Sequence, residues 1–302
     1  MRVLVLGAGG TGGYFGGRLV QAGGDVEFLV RPRRAAQLEA GGLIIKSPFG
    51  DATLKVKAIT QAAGVADAIL LSCKAYDLES AMDAIAPAVG ENTLIVPLLN
   101  GLKHLDALDA RFGAKHMLGG VALISATLGP QGEIIHLNQL QGLVMGAREA
   151  AQAEVARAVA QAFAPAKFAL LSPNILQEMW EKFVFITTFA GMTTLMRAPI
   201  GAILEADDGE ALLREMLEEC CATAAAAGHS PSKGALARMQ AMLFERGSAL
   251  TASMLRDVER GGPTEHDQII GDMQARARAA GLPTPLLRTS FAHLQAYAAG
   301  RR

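Results

Sequence analysis

The sequence predicts an α/β protein in which a doubly wound parallel sheet precedes an all-helical C-terminal domain. Three observations carry this prediction. A buried strand, a glycine-rich turn and a helix follow one another within Met1–Leu19. Further apolar strands, separated by helical segments, continue to residue 171, and from Pro173 onward helical periodicity replaces the strand patterns. We therefore expect one domain at residues 1–171 and a second at residues 172–302.

The composition of the 302-residue chain excludes several classes of protein. A net charge of −1 and the absence of a long basic run argue against a nucleic-acid partner. The three cysteines have neither the number nor the spacing of a disulfide framework or a zinc site, so we expect no metal. Phe183–Met196, an uncharged apolar stretch, is shorter than a membrane span. These features predict a cytoplasmic protein with no membrane partner.

The glycine-rich turn is the strongest motif. It consists of Gly7, Ala8, Gly9, Gly10, Thr11 and Gly12, and follows the predicted strand Arg2–Leu6. GxGxxG spacing between a strand and a helix lets the backbone approach a pyrophosphate, which the N–H groups of the helix terminus attract. The turn therefore predicts a dinucleotide site. The alternative is a turn that only packs the helix against the strand.

Arg31 follows the second predicted strand, Asp25–Val30. In an NAD site an acidic residue at this position binds the ribose hydroxyls. A guanidinium instead suits a 2′-phosphate, so the sequence favours NADP(H) over NAD. A solvated basic turn is the alternative.

Two further polar residues follow buried strands. Lys74 comes after Ala68–Cys73, and Asn100 comes shortly after Thr93–Pro97. Ligands of open α/β sheets collect at the carboxyl ends of the strands. Both side chains are therefore candidates for contact with cofactor or substrate, although either could be a turn residue.

Periodicity and turn residues predict the remaining elements. We expect strands at Leu43–Lys46 and Ala52–Lys57 (as a hairpin), Met117–Ala126, Glu133–Leu137, Leu143–Met145 and Phe168–Leu171. We expect helices at Glu149–Ala162, Asn174–Arg197, Gly209–Ala227, Ser232–Arg246, Ser253–Arg260 (capped by Thr251), Thr264–Ala280 and Leu286–Tyr297.

Lys182 is the leading candidate for catalysis. It lies on a long apolar helix beside Phe183, Phe185, Ile186 and Phe189. Partial desolvation there would lower the pKa of the ammonium, which could then protonate a carbonyl oxygen as hydride reaches the carbon. A lysine that extends its charge to solvent from the edge of a core helix is the alternative.

Ser253 and Glu265 are weaker candidates. Ser253 could simply begin a helix, and Glu265 could simply complement the dipole of the next one.

Taken together, the motifs resemble those of the ketopantoate reductase (2-dehydropantoate 2-reductase) family. The resemblance covers nearly the whole chain and rests on LGAGGTGGYFGGRL, LLSCKAYD, PLLNGL, EMWEKFVF and SMLRDVERGGPTEHDQIIGDM. It implies a Rossmann domain followed by a helical domain, and an NADPH-dependent reduction of a 2-keto acid to a 2-hydroxy acid, as in pantothenate biosynthesis.

The resemblance also implies roles for the cofactor-binding positions. Gly7–Gly12 would hold the pyrophosphate, and Arg31 would hold the 2′-phosphate of NADPH. Lys74 would lie along the cofactor, Asn100 would contact the nicotinamide ribose and the substrate, and Ala126 would touch the nicotinamide end.

For the substrate, the resemblance implies that Lys182 is the general acid and that Ser253 binds the carboxylate. Glu265 would contact the substrate hydroxyl or the cofactor.

Three positions depart from the family. Ile186, Ala190 and Ile200 stand where the family carries asparagines that bind substrate. Losing a hydrogen bond to a buried polar group costs about 1–3 kcal/mol, so ketopantoate would bind more weakly. The sequence therefore leaves open a more apolar keto or hydroxy acid as substrate, and a non-catalytic NADPH-binding module. The apolar helical domain also leaves open a homodimer.

Overall fold

The computed structural model describes residues 1–301, which divide into two compact units. Unit 1 comprises Met1–Leu99 and His104–Leu176. Unit 2 comprises Asn100–Lys103 and the described residues from Gln177 onward. The short segment Asn100–Lys103 thus belongs with the helical unit although the strand before it belongs with the sheet.

Unit 1 contains all twelve strands found among residues 1–301. They are β1 (Arg2–Leu6), β2 (Asp25–Leu29), β3 (Leu43–Lys46), β4 (Ala52–Leu54), β5 (Lys57–Ile59), β6 (Ala68–Leu71), β7 (Leu94–Pro97), β8 (Gly119–Leu123), β9 (Ala126–Leu128), β10 (Ile134–His136), β11 (Gly142–Gly146) and β12 (Ala169–Leu171). The first five helices are α1 (Gly10–Gln21), α2 (Pro32–Gly41), α3 (Leu78–Ile85), α4 (Lys103–Phe112) and α5 (Ala153–Phe163).

Unit 2 is helical. Its helices are α6 (Ile175–Met196), which begins in unit 1, α7 (Ile200–Glu205), α8 (Gly209–Ala226), α9 (Lys233–Leu243), α10 (Ser253–Glu259), α11 (Asp272–Ala279) and α12 (Pro285–Gly300). A π-helical turn, Asp267–Gly271, precedes α11. The predicted fold class is confirmed: a parallel Rossmann-type sheet comes first and a helical domain follows.

The central sheet of unit 1 has the strand order β5-β2-β1-β6-β7, and every pair is parallel. Successive side chains of a strand point to opposite faces, so each strand supplies two cores. Val3 and Val5 of β1 pack in one core with Phe15 of α1, whereas Leu4 packs in the other with Ile85 of α3. Helices on both faces are what a sheet with fully buried central strands requires.

Two predicted strands are each divided between sheets. The first part of the predicted strand Ala52–Lys57 forms β4, which pairs with β3 as a hairpin. Its last residue, Lys57, begins β5, which pairs with β2 of the central sheet. Met117–Ala126 is similarly divided: β8 pairs with β11, and β9 pairs with β10. A continuous apolar run does not reveal a change of partner, which is decided by tertiary pairing.

The helix predicted at Thr264–Ala280 is wrong at its start. The first regular turn is π-helical, with the Gly271 N–H donating to the His266 carbonyl at 2.8 Å. Glu265 therefore precedes the helix and is not in its first turn. The predicted cap Thr251 is also wrong, because Ala252 is the N-cap of α10 and no side chain caps that helix.

Candidate active site

The glycine-rich turn of unit 1 connects β1 to α1. Gly7 has a φ of +89°, and a Cβ atom there would lie 2.5 Å from the Ser72 carbonyl oxygen, so only glycine fits. Helix α1 begins at Gly10 with Gly9 as its N-cap. The first N–H groups of a helix have no partner within the helix, and the dipole makes this end positive. The free N–H groups and the positive end of the dipole at the start of α1 can therefore attract an anion.

The turn is open where an approaching phosphate needs room. A Cβ atom on Gly9 would meet no heavy atom within 4 Å, whereas one on Gly12 would lie 2.6 Å from the Gly7 carbonyl oxygen. Ala8 is buried and Thr11 is partly exposed. The middle glycine therefore faces free space, and the last one holds α1 close to the turn.

Ala126 lies against this turn. It is the first residue of β9, and a Cβ atom on Gly10 would be 2.6 Å from its carbonyl oxygen. The structure thus brings Ala126 and the start of α1 together within unit 1, although they are more than a hundred residues apart in the sequence.

Arg31 is the N-cap residue of α2, and its side chain is 79% exposed. Its Nη2 is 3.0 Å from Oδ1 of Asp77, a carboxylate that follows β6 and that the sequence analysis did not single out. The guanidinium is therefore accessible, but a carboxylate already pairs with it. Asp77 could have been noticed from its position three residues after Lys74.

A second guanidinium lies closer to the glycine-rich turn. Arg34 donates from Nε to the Ala8 carbonyl oxygen at 3.2 Å, and its Nη2 is buried with no hydrogen-bond partner among residues 1–301. Lys74 is partly buried and occupies the N-cap position of the short turn Ala75–Asp77 after β6, where its side chain makes no capping hydrogen bond. Three cationic side chains thus follow the carboxyl ends of β2 and β6.

Lys182 is located on α6 in unit 2, and its side chain is partly buried. Burial lowers the pKa of its ammonium group from 10.5 to about 8, and the negative charge of Glu265 opposes this by raising the pKa. Glu265 is itself buried, at 8% exposure. The structure therefore brings two predicted site residues together and leaves the lysine able to exchange a proton near neutral pH.

Asn100 follows β7 and is held by a residue that sequence reasoning missed. Nε2 of Gln268, a buried side chain of the π-helical turn, donates to the Asn100 carbonyl oxygen at 3.0 Å. Gly101 has a φ of +79°, and a Cβ atom there would lie 2.7 Å from the Gln268 carbonyl oxygen. The signal for Gln268 was its place three residues after Glu265.

Ser253 is the remaining candidate of unit 2. It is the first residue of α10 and is exposed. Within residues 1–301 its hydroxyl makes no hydrogen bond to another of the predicted site residues.

The three positions that depart from the expected asparagines differ in burial. Ala190 is 4% exposed and Ile200 is fully buried, whereas Ile186, one turn from Lys182, remains partly exposed. Phe185 and Phe189 are also partly exposed, and their rings stack with centroids 5.5 Å apart.

Residues 1–301 contain neither a candidate metal cluster nor a candidate membrane-spanning helix. No group of three or more His, Cys, Asp or Glu side chains there could hold a metal ion. None of its helices is both long and apolar enough to cross a membrane.

Comparison with known families accounts for both units. The family model described as "Ketopantoate reductase PanE/ApbA" matches residues 3–150, and the model of its C-terminal part matches residues 174–298. The chain belongs to the ketopantoate reductase PanE/ApbA family. The predicted resemblance is thus confirmed.

Relatives of this ketopantoate reductase family member extend over its full length. An uncharacterized oxidoreductase of Bacillus subtilis, YkpB, is 36% identical over 99% of both chains. A 2-dehydropantoate 2-reductase of Mesorhizobium japonicum is 27% identical over 100% of this chain and 99% of that one. The solved 2-dehydropantoate 2-reductase of Geobacter metallireducens is 30% identical, covers 98% of this chain and 99% of its own, and superimposes with a TM-score of 0.87. This family member is therefore an oxidoreductase that acts on CH–OH donors and the corresponding carbonyls.

Proposed function

We propose that this chain reduces a 2-keto acid to a 2-hydroxy acid at the expense of NADPH, with Lys182 as the general acid. The observation that carries the proposal is the placement of Lys182 on α6 close enough to the buried Glu265 for their charges to interact. Burial also lowers the pKa of Lys182 to about 8. A catalytic acid works best when its pKa is close to the working pH. The family's named substrate, ketopantoate, is the first candidate, and pantothenate biosynthesis would follow from it.

Lys182 would act on the keto oxygen. The ammonium stabilises the negative charge that develops there and then transfers its proton, which leaves a neutral amine that solvent reprotonates. Glu265 keeps the charged form accessible, because its carboxylate opposes the effect of burial. When bound, the reduced nicotinamide supplies the hydride to the keto carbon.

The residues of unit 1 fit a dinucleotide. Gly9 faces free space, the N-terminus of α1 is positive, and a buried guanidinium nitrogen of Arg34 has no partner among the described residues. Gly7–Gly12 would hold the pyrophosphate, and Lys74 and Ala126 would lie along the cofactor. Arg31 supports NADP(H), because its exposed guanidinium can bind a 2′-phosphate once Asp77 releases it.

In unit 2, the proposed substrate contacts are Asn100, Ser253 and Glu265. Ser253 is exposed and can offer a hydroxyl to the substrate carboxylate. The Asn100 backbone is fixed through Gln268, so its side chain projects from a constrained segment.

A matched pair of Lys182 variants tests the proposal. Lys182→Ala removes charge and proton, whereas Lys182→Arg keeps the charge but cannot release a proton near neutral pH. We expect both to lose kcat for NADPH-dependent reduction by at least about a hundredfold, with the Kd for NADPH unchanged. If Lys182→Arg retained wild-type kcat, Lys182 would supply charge alone. If Lys182→Ala retained it, the assignment would be wrong.

The competing hypothesis is a module that binds NADPH without turnover. Its support would be tight NADPH binding together with no oxidation of NADPH by any keto acid of a broad panel. Conversely, turnover of one 2-keto acid that depends on Lys182 excludes it.

Two further proposals concern the whole protein. The cytoplasm stays a prediction for its location, based on three cysteines with neither the number nor the spacing of a disulfide framework. A homodimer stays a prediction, and light scattering of the purified protein would test it.

A further inference from the structure

The exposed face of α6 next to Lys182 is apolar and aromatic. Between Phe183 and Thr194, the only side chains that remain partly exposed are Phe185, Ile186 and Phe189. Positions three, four and seven residues after a lysine lie on the same helix face as that lysine. The proton donor and this apolar face therefore share one stripe along the helix.

The two phenyl rings of this stripe pack against each other. Their planes are 19° apart and their centroids are separated by 5.5 Å, so Phe185 and Phe189 are stacked. We call these two residues and Ile186 the apolar face. Such a surface favours contact with an aryl ring or a branched alkyl group over contact with a hydroxyl.

Spacing along the helix sets which part of a substrate meets the apolar face. A helix rises 1.5 Å per residue, so Phe185 and Ile186 lie about 5 Å, and Phe189 about 10 Å, beyond Lys182. With the keto oxygen at Lys182 and the carboxylate at Ser253, as in the proposed function, the remaining substituent on the keto carbon is the group that can meet this face.

Helix α6 offers no hydroxyl to replace the missing asparagines. Its four threonines are fully buried: Thr187, Thr188, Thr193 and Thr194. The hydroxyls of three of them donate to carbonyl oxygens of the same helix, and that of Thr187 is buried without a partner among residues 1–301. A substrate hydroxyl placed against this face would lose its hydrogen bonds to water and gain none from α6.

We propose that the physiological substrate is a 2-keto acid whose substituent is bulky and wholly apolar, either aryl or branched alkyl, and that the apolar face selects it. The inference rests on the proposed function. The reaction balances as follows: the keto carbon receives hydride from the reduced nicotinamide dinucleotide, and the keto oxygen receives the proton of Lys182. The products are the 2-hydroxy acid and the oxidised dinucleotide.

A pair of probes that differ by one hydroxyl tests the substrate class. 3,3-Dimethyl-2-oxobutanoate is ketopantoate without its hydroxyl group. We expect the wild-type protein to reduce it with a kcat/KM roughly tenfold or more above that for ketopantoate. We likewise expect phenylglyoxylate to exceed pyruvate by at least tenfold. A preference for ketopantoate over its deoxy analogue would overturn the proposal.

Variants then test the residues. Phe185→Ala and Phe189→Ala should each lower the ratio of kcat/KM for phenylglyoxylate to that for pyruvate by about tenfold. Phe49→Ala is the matched control, because Phe49 is 45% exposed and lies in unit 1. It should leave the ratio unchanged. An unchanged ratio in both α6 variants, with folding verified by thermal denaturation, would show that the rings do not contact the substrate.

The position of the lost asparagine gives a gain-of-function test. Ile186→Asn should raise the ratio of kcat/KM for ketopantoate to that for its deoxy analogue by about tenfold, because the amide can bind the hydroxyl. Ile186→Ala controls for the loss of volume and should not raise it. If Ile186→Ala raised this ratio as much as Ile186→Asn, the effect would come from the loss of volume and not from a hydrogen bond to the amide.

Failure of the proposed function and failure of the proposed substrate class give different results. If the wild-type protein reduces no 2-keto acid, the proposed function itself fails. If it reduces ketopantoate best, through Lys182, the proposed function holds and only the apolar substrate class is wrong.

Discussion

Lys182 should impose a pH dependence on the reaction that is opposite in its two directions. Reduction needs the ammonium form, so kcat/KM for the keto acid at saturating NADPH should be level below pH 8. Since the pKa is lowered to about 8, the same parameter should fall about tenfold per pH unit above that value. Oxidation of the 2-hydroxy acid needs the neutral amine, so its kcat/KM should rise about tenfold per pH unit below pH 8 and be level above that value.

Steady-state rates between pH 6.5 and 10 would measure this dependence. Lys182→Arg serves as the control, since its residual activity should lose the inflection near pH 8. An inflection that persists in this variant would belong to another group and would remove Lys182 from the proton transfer.

Arg31 and Asp77 together should set the preference between the two nicotinamide cofactors. Arg31→Ala should lower kcat/KM for NADPH by about tenfold or more and change that for NADH little, because only NADPH carries the 2′-phosphate. Asp77→Asn should act in the opposite direction, since it removes the carboxylate that lies 3.0 Å from the guanidinium. This pair is exposed and contributes little to stability, so folding should be unaffected.

Rates with both cofactors would be compared for the two variants, and the double variant would be included. If Asp77→Asn raises the ratio of kcat/KM for NADPH to that for NADH in the wild type and leaves it unchanged in the Arg31→Ala variant, the effect acts through Arg31. An equal gain in both backgrounds would contradict that route.

At the scale of elements, the π-helical turn Asp267–Gly271 should position Asn100. The turn directs Gln268 toward the segment that follows β7, where its Nε2 donates to the Asn100 carbonyl oxygen at 3.0 Å. Gln268→Met keeps the length of the side chain and removes the donor. We expect kcat/KM for the keto acid to fall about tenfold and the free energy of unfolding to fall by about 1 kcal/mol.

Gln295→Met on the exposed face of α12 is the matched control and should change neither quantity. The decisive measurement is the division of the effect between kcat and KM. Loss of stability with unchanged kinetic constants at a temperature where the variant is folded would assign Gln268 a structural role only.

The elements show what the sequence could and could not predict. Continuous strands and single-faced helices were predicted with the right type, as at β1, β2 and α8, because their burial repeats with a regular period. The sheet changes at Val56 and Ser125 were missed, because a strand's partner is chosen by tertiary packing. Helix α7 was not predicted; Pro199 is its N-cap residue, and the helix has only six residues, too few to show a regular period.

The candidate site follows the same division. Gly7–Gly12 and Lys182 become candidates through local patterns, a turn between strand and helix and a charge on an apolar helix, and their roles stay predictions. Asp77 and Gln268 each lie three residues after a candidate, but their pairing with Arg31 and Asn100 could not be predicted, because the partners are distant in sequence. The same holds for Arg34 and the Ala8 carbonyl oxygen. Pairing of this kind is a property of the folded chain and leaves no period in the sequence.

At the scale of the whole molecule, Lys182 should make stability depend on pH in the alkaline range. Its pKa is about 8 when folded and about 10.5 when unfolded, so between these values the unfolded chain binds the additional proton. The contribution of Lys182 to the free energy of unfolding therefore rises with pH across this window and is constant below pH 8. The total gain from a shift of this size is roughly 3 kcal/mol.

Lys182→Met removes the titration and provides the comparison. The difference in the free energy of unfolding, wild type minus variant, should be constant from pH 6 to 7.5 and should then rise in favour of the wild type by roughly 2–3 kcal/mol up to pH 10.5. Urea denaturation at a series of pH values measures it, and subtraction cancels the groups that titrate equally in both proteins. A difference that stays flat to pH 10.5 would mean that folding does not perturb the lysine, and it would remove the physical basis for its role as a proton donor near neutral pH. A difference that falls would mean that the folded protein holds the proton more tightly, as expected if the charge of Glu265 outweighed burial.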